Sequence, residues 1–336
     1  MTERIAVVGA GSWGTTLANL LAKKGHEVRV WSYESDVAES INRDRANSVY
    51  LPDIPLVEPL RATPDIDEAV TDATVIVQVT PSQHVRTVMR SAHDRIPPDA
   101  IVVSASKGIE TSTLETMAEV LDEVLPEPVN SRLSFLSGPT FALEVAREVP
   151  TAVTVASQSP KLARRVQALF QTDYLRVYTS PDVPGVELGG ALKNVIALAA
   201  GMATGLGLGY NTLAALITRG LAEITRLGVA LGANPMTFAG LAGMGDLILT
   251  CTGKLSRNRS VGEQLGRGRA LDDVLSEMKM VAEGVETTRA TCELATRRGV
   301  EMPIADEVRA VLFEGRPPAE AVRNLMTREP KPEVWE

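Results

Sequence analysis

Residues 5–18 read Ile-Ala-Val-Val-Gly9-Ala-Gly11-Ser12-Trp13-Gly14-Thr-Thr-Leu-Ala: an apolar strand pattern, three glycines spaced G-x-G-x-x-G, then a helix pattern. This stretch restricts the fold because each glycine meets a different steric demand. Gly9 permits a tight strand-to-helix turn, Gly11 lets the backbone come close to a pyrophosphate, and Gly14 lets helix and strand pack closely. The helix N-terminus then offers free N–H groups to the anion. The motif alone is common, but a strand before it and a helix after it are the context that predicts a dinucleotide site.

The rest of the first half agrees. Short β-branched runs alternate with helical segments, the pattern of βαβ units and a mostly parallel sheet. Strands are expected over 4–8, 27–31, 75–79, 101–104, 133–137 and 152–156. The helix over 14–24 has Leu17, Leu20 and Leu21 at helical spacing and is stopped by Gly25. After about Pro181 the strand-like runs give way to apolar periodicity over 187–201, 211–231, 272–279, 285–298 and 305–314. The chain therefore reads as a Rossmann-type α/β domain over 1–180 and an all-α domain over 181–336. Its 336 residues, 44% hydrophobic, are enough for two cores. The last residues, 328–336, with Pro330 and Pro332, read as a frayed end.

Charge and cysteine content exclude some functions. Thirty-four basic against 42 acidic residues give a net charge of -8, which argues against a nucleic-acid or anionic-membrane surface. Cys251 and Cys292 are too few for a disulfide framework and are not at metal-ligand spacing, so no metal and a reducing cytoplasm are expected. Residues 195–210 carry no charge, yet they are interrupted by glycines and fall short of the roughly 20 residues a membrane span needs. One or two buried helices are expected there, with no membrane insertion. The N-terminus lacks the succession of a signal peptide.

Position by position, the chemistry is less evident. The second strand exits through Trp31-Ser32-Tyr33-Glu34, where an acid would hold a ribose 2′-hydroxyl. Glu34 is a candidate, but Ser32 and Tyr33 occupy the nearer positions and neither repels a 2′-phosphate, so NAD and NADP both remain open. Lys107 follows a strand at the edge where open sheets bind ligands. Lys193 is an isolated cation in an otherwise apolar helix, and burial would require it to be paired, ligand-bound or neutral. Such an amine suits a general base; the alternative is a structural lysine capping a neighbouring helix. Gly240-Leu-Ala-Gly243-Met-Gly245-Asp246 leads to one carboxylate, and Ser256-Arg257-Asn258-Arg259 concentrates donors fit either for phosphate or for a solvated face. Ser137-Gly138-Pro139-Thr140-Phe-Ala142 adds backbone N–H groups at a helix start.

Together, Gly9–Gly14, Ser106-Lys107-Gly108, 136–142, Leu188-Gly-Gly-Ala-Leu-Lys193-Asn194, Gly245-Asp246-Leu and Ser256-Arg257-Asn258 resemble the bacterial NAD(P)-dependent glycerol-3-phosphate dehydrogenase family, from about residue 4 to about residue 325. The resemblance implies a site between the two domains that takes glycerol 3-phosphate or dihydroxyacetone phosphate. It implies that Lys193 accepts the C2 hydroxyl proton, with Asp246 and Lys107 around the reacting centre. Gly138, Thr140, Ser256, Arg257 and Asn258 would then hold substrate, alongside Lys107, Lys193 and Asp246. Ser12, Trp13, Tyr33, Lys107, Ala142, Arg257, Val281 and Glu283 would contact the cofactor. It further implies a role in supplying glycerol 3-phosphate for phospholipid synthesis, while a homodimer is the default assembly. Two rivals stand beside it: a two-domain dehydrogenase of 3-hydroxy acids, and a dinucleotide sensor without chemistry.

Overall fold

The computed structural model describes residues 2–278, 280–330, 332 and 333. Apolar runs without alternation form strands buried on both faces, which is what a parallel sheet covered by helices requires. In β1 (Arg4–Val8), Ile5 and Val7 enter one core with Leu17 and Leu21, while Ala6 and Val8 enter the other with Ile76 and Val102. The remaining strands are β2 (Glu27–Trp31), β3 (Leu60–Thr63), β4 (Val75–Gln78), β5 (Ile101–Ser104), β6 (Leu133–Ser137), β7 (Thr151–Ala156) and β8 (Leu175–Ser180). They form one sheet in the order β3-β2-β1-β4-β5-β6-β7-β8, parallel except where β7 runs against β6. The chain moves outward from β1 through β2 to β3 and returns on the other side at β4. The loops leaving β1 and β4 therefore diverge, opening a crevice at the strands' C-terminal ends.

Among the described residues, seven α-helices accompany the strands: α1 (Ser12–Lys23), α2 (Ser35–Asp44), α3 (Ile66–Val70), α4 (Val85–Ser91), α5 (Met117–Val124), α6 (Ala142–Ala146) and α7 (Pro160–Phe170). The six expected strands form within a residue of their expected limits. Two more were not expected. β3 is only four residues with an exposed arginine at its second position, and β8 is an edge strand whose outward residues include Arg176, Tyr178 and Thr179. Both are too short or too polar to show as apolar runs, and their neighbours in the sheet complete them.

β8 ends at Ser180, and every described element from there on is helical. These are α8 (Val183–Gly205), α9 (Tyr210–Ala230), α10 (Pro235–Phe238), α11 (Asp246–Thr252), α12 (Arg257–Gly266), α13 (Leu271–Ser276), α14 (Gly284–Arg298), α15 (Pro303–Phe313) and α16 (Pro318–Met326), with a π-helical turn at Leu241–Gly245 before α11. α10, α11, α12 and α16 had no counterpart among the expected helices. The expected helix over 272–279 ends at Ser276, and Lys279 lies outside the described residues, as do residues 331 and 334–336 of the expected frayed tail.

The glycine-interrupted apolar stretch resolves into the end of α8, a turn and the start of α9. By length and composition α8 could cross a membrane, but 89% of its apolar window is buried inside the protein. Its glycines have a packing reason: a Cβ on Gly201 would meet the Arg259 carbonyl at 2.0 Å, and one on Gly262 of α12 the Leu198 carbonyl at 2.0 Å. α8 and α12 thus cross backbone to backbone, which fixes the helix bearing Lys193 within the helical core.

Candidate active site

The glycine turn is assembled as its sequence requires. Gly9 takes φ +125°, a conformation side chains rarely adopt, and its N–H donates to the Trp31 carbonyl at 3.1 Å. A Cβ on Gly14 would lie 1.9 Å from the Gly9 carbonyl, so the helix can sit against the turn only without one. At Gly11 the opposite holds: a Cβ would meet nothing within 4 Å. Open space therefore lies above the first turn of α1, which has no side-chain cap and no acidic residue. The Trp13 indole Nε1 is buried with no hydrogen-bond partner among the described residues. Uncapped N–H groups, free space and an unused donor together fit a dinucleotide's pyrophosphate. The turn is braced by Asn47, whose Nδ2 donates at 2.8 Å both to the Ala10 carbonyl and to Thr15 Oγ1.

The second-strand exit is mostly committed to structure. Ser32 is fully buried, and the Glu34 carboxylate accepts the Tyr50 hydroxyl at 2.7 Å, helping to push that phenol up to about 12. Tyr33 is 82% exposed, its ring edge-on to Trp31 at 6.5 Å. Among the described residues, no hydrogen bond or ion pair joins Tyr33 to Lys107 or Lys193. Farther along the crevice, a cavity of about 480 Å³ opens between the halves, lined by Pro81, Ser82 and Glu110 on one side and Val281, Glu283 and Glu286 on the other. Val281 is exposed. Burial pushes the Glu283 carboxyl up, opposed by the charges of Arg257, Lys107 and Lys193 and by the Ser82 N–H.

Both lysines converge on one carboxylate. Lys193 projects from α8 and is 6% exposed; its Nζ donates to Asp246 Oδ1 at 2.5 Å and to Thr250 Oγ1 at 3.0 Å. From the sheet half, Lys107 Nζ donates to Asp246 Oδ2 at 2.7 Å and to the Gly138 carbonyl at 3.1 Å. Asp246 is fully buried, so both its oxygens are used by cations. Burial pushes the Lys193 amine down to about 8; Asp246 opposes this and Lys107 adds to it. Two cations sharing one buried anion leave an excess positive charge that favours releasing a proton near neutral pH. The expected alternative for Lys193, capping a neighbouring helix, is not what its partners show: they are side chains.

The remaining candidates lie around this pair. Gly138 takes φ +145°, and Thr140 Oγ1 donates to its carbonyl at 3.2 Å. Ala142 begins α6, and its carbonyl accepts from Thr16 Oγ1 of α1 at 3.2 Å, joining this loop to the glycine turn. Ser256 caps α12 by accepting the Arg259 N–H at 3.2 Å, Arg257 follows it exposed, and Asn258 accepts the Gly284 N–H at 2.9 Å. Ser256 and Asn258 thus hold the loop as well as presenting groups to it. Thr250 was not singled out from the sequence, although it lies one turn after Asp246. Its Oγ1 also donates to the Asp246 carbonyl at 2.6 Å, which leaves its lone pairs for Lys193. Helical i, i+4 spacing from Asp246 was the available signal. Among the described residues no cluster fits a metal ion.

Comparison with known proteins covers both halves. A model described as NAD-dependent glycerol-3-phosphate dehydrogenase N-terminus matches residues 4–163, and one described as the C-terminus of the same family matches 182–323. Glycerol-3-phosphate dehydrogenase [NAD(P)+] of Citrifermentans bemidjiense is 59% identical over 333 residues, 99% of each chain. The protein of the same name from Myxococcus xanthus is 54% identical, covering 98% of this chain and 99% of that one. The crystal structure of glycerol-3-phosphate dehydrogenase from Coxiella burnetii superposes with a TM-score of 0.93 at 38% identity, over 97% of this chain and 99% of that one.

Proposed function

Because the chain belongs to the NAD-dependent glycerol-3-phosphate dehydrogenase family, we propose that it interconverts sn-glycerol 3-phosphate and dihydroxyacetone phosphate, with Lys193 carrying the proton. The observation that supports this most is the buried amine of Lys193, pushed down to about 8 and shared through Asp246 with a second lysine from the opposite half. The dinucleotide, NAD or NADP, supplies the hydride acceptor or donor when bound.

In the oxidative direction, Lys193 in its neutral form takes the C2 hydroxyl proton as the C2 hydrogen leaves as hydride. In reduction the ammonium returns it. Lys107 stabilises the developing alkoxide, and Asp246 aims both amines. Arg257, with Ser256 and Asn258, takes the substrate phosphate, while Gly138 and Thr140 border it. Gly9, Gly11, Ser12, Trp13 and Gly14 cradle the pyrophosphate; Tyr33, Ala142, Val281 and Glu283 line the rest of the dinucleotide. Holding both ligands between two domains, 1–180 and 181–336, supplies much of the rate by positioning. The same reading makes the protein a cytoplasmic homodimer that provides the phosphorylated glycerol backbone for phospholipid synthesis.

The test is nicotinamide absorbance after adding glycerol 3-phosphate to purified protein with NAD and NADP side by side. Turnover with at least one dinucleotide is expected. Tight dinucleotide binding without turnover on either would favour a sensor, and turnover of 3-hydroxy acids in preference to glycerol 3-phosphate would favour the rival dehydrogenase.

A further inference from the structure

The contacts that join the two halves include one outside the lysine–aspartate cluster. Glu187 stands on α8, six residues before Lys193, and reaches across to the sheet half, where its Oε1 accepts the Ala118 N–H at 2.9 Å. That N–H belongs to the first turn of α5, which has a capping box of its own: Thr116 accepts from Glu119, and the Glu119 side chain accepts the Thr116 N–H at 2.8 Å. The box leaves the Met117 and Ala118 N–H groups open, and these are what Glu187 faces. The side chain is half-buried: desolvation pushes the carboxyl up to about 8, the neighbouring Glu119 adds to this, and the α5 N–H groups and Thr116 oppose it.

The geometry has a consequence for the reaction. Lys193 and Asp246 belong to the helical half, and the glycine cradle belongs to the sheet half. The distance from the amine to anything held in the cradle is set by contacts between the halves, and Lys107 is a flexible side chain already engaged at the reacting centre. We propose that Glu187 is a positioning residue: by binding the start of α5 it fixes α8 on the sheet half and so sets where Lys193 stands relative to the carbon that exchanges hydride. It touches neither substrate nor dinucleotide and acts through Lys193, so the inference rests on Lys193 as proton carrier.

Two substitutions of equal length separate the hydrogen bond from packing. Glu187→Met fills the space without an acceptor; Glu187→Gln keeps a carbonyl that accepts the Ala118 N–H. With the full-length protein, E187M should lose about tenfold in kcat with the KM for glycerol 3-phosphate and the dinucleotide Kd within about twofold of wild type, because small misplacements at a reacting centre are costly. The primary isotope effect on kcat with substrate deuterated at C2 should rise, and E187Q should restore both readouts. If E187M does not fold, Glu187→Asp, which withdraws the acceptor by one methylene, carries the comparison. Wild-type kcat in E187M, or a fall that leaves the isotope effect unchanged, overturns the positioning role alone. Absence of glycerol 3-phosphate turnover in the wild type overturns the catalytic reading as well.

Discussion

The sheet half and the helical half build their shares of the proposed site by opposite means. At the glycine turn the sheet half uses backbone: Gly9 and Gly14 exist to remove side chains, and Gly11 leaves space. The helical half uses charge held out of water, with Lys193, Asp246 and Glu223 each at most 6% exposed. Glu223 shows that such burial does not imply catalysis. It accepts the Ile304 and Ala305 N–H groups at 2.8 and 3.3 Å and serves as the missing cap of α15, although burial pushes it to about 7. What distinguishes Lys193 is its partners, the Asp246 carboxylate that it shares with Lys107 and the Thr250 hydroxyl, rather than its perturbed ionisation.

The sharpest way to break this contrast is to remove one function and look for loss of the other. Lys193→Ala should lower turnover by about a thousandfold, the scale of a lost general base, while dinucleotide binding measured by calorimetry stays near wild type. Loss of dinucleotide binding in that variant would mean the halves do not divide the work. The converse is Gly11→Ala. Its new Cβ meets no protein atom, so thermal stability should hold, yet it projects into the space above the α1 first turn. The dinucleotide Kd should rise roughly tenfold to a hundredfold, as expected for one or two weakened bonds to a charged group. Unchanged binding would move the pyrophosphate away from that turn.

The ionisation of Lys193 gives a smaller effect with a definite sign. Oxidation needs the neutral amine, so kcat/KM for glycerol 3-phosphate oxidation, which reports the free enzyme, should rise with pH, about tenfold per unit well below the midpoint, and level off above about 8. Reduction needs the ammonium and should fall over the same interval. Parallel profiles in the two directions would assign the proton to another group.

The same contrast explains what the sequence made legible. The cradle is local: its glycines lie within six positions, between a strand and a helix that apolar patterning reveals, so motif and context coincide. The lysine–aspartate cluster is not local. Asp246 is separated by 139 positions from Lys107 and by 53 from Lys193, and nothing in either neighbourhood requires that they meet. In its own neighbourhood Lys193 stood out because a cation in an apolar helix must be compensated, which says that a partner exists without naming it; only the family resemblance put Asp246 and Lys107 beside it. Asn47 and Glu187 left no such signal: an asparagine after a helix and a glutamate near a helix start are ordinary, and only the fold brings them to the Ala10 carbonyl and the Ala118 N–H. β3 and β8 were hidden for the same reason, since their pairing comes from the sheet and not from their own residues.

Thr250 tests the contrast most finely, because it belongs to the charged cluster but carries no charge. Its hydroxyl proton is directed to the Asp246 carbonyl at 2.6 Å, so toward Lys193 it acts as an acceptor at 3.0 Å. An acceptor stabilises the ammonium over the neutral amine and holds its pKa up against burial. Thr250→Val keeps the shape and removes that acceptor. The oxidative pH midpoint should therefore move below about 8, by less than about one unit, since Asp246 still holds the amine. At high pH, where the wild-type amine is already neutral, oxidation should change little, and at low pH the variant should be the faster of the two. A midpoint that moves upward would mean that the hydroxyl donates to the amine, and that Thr250 favours the neutral base.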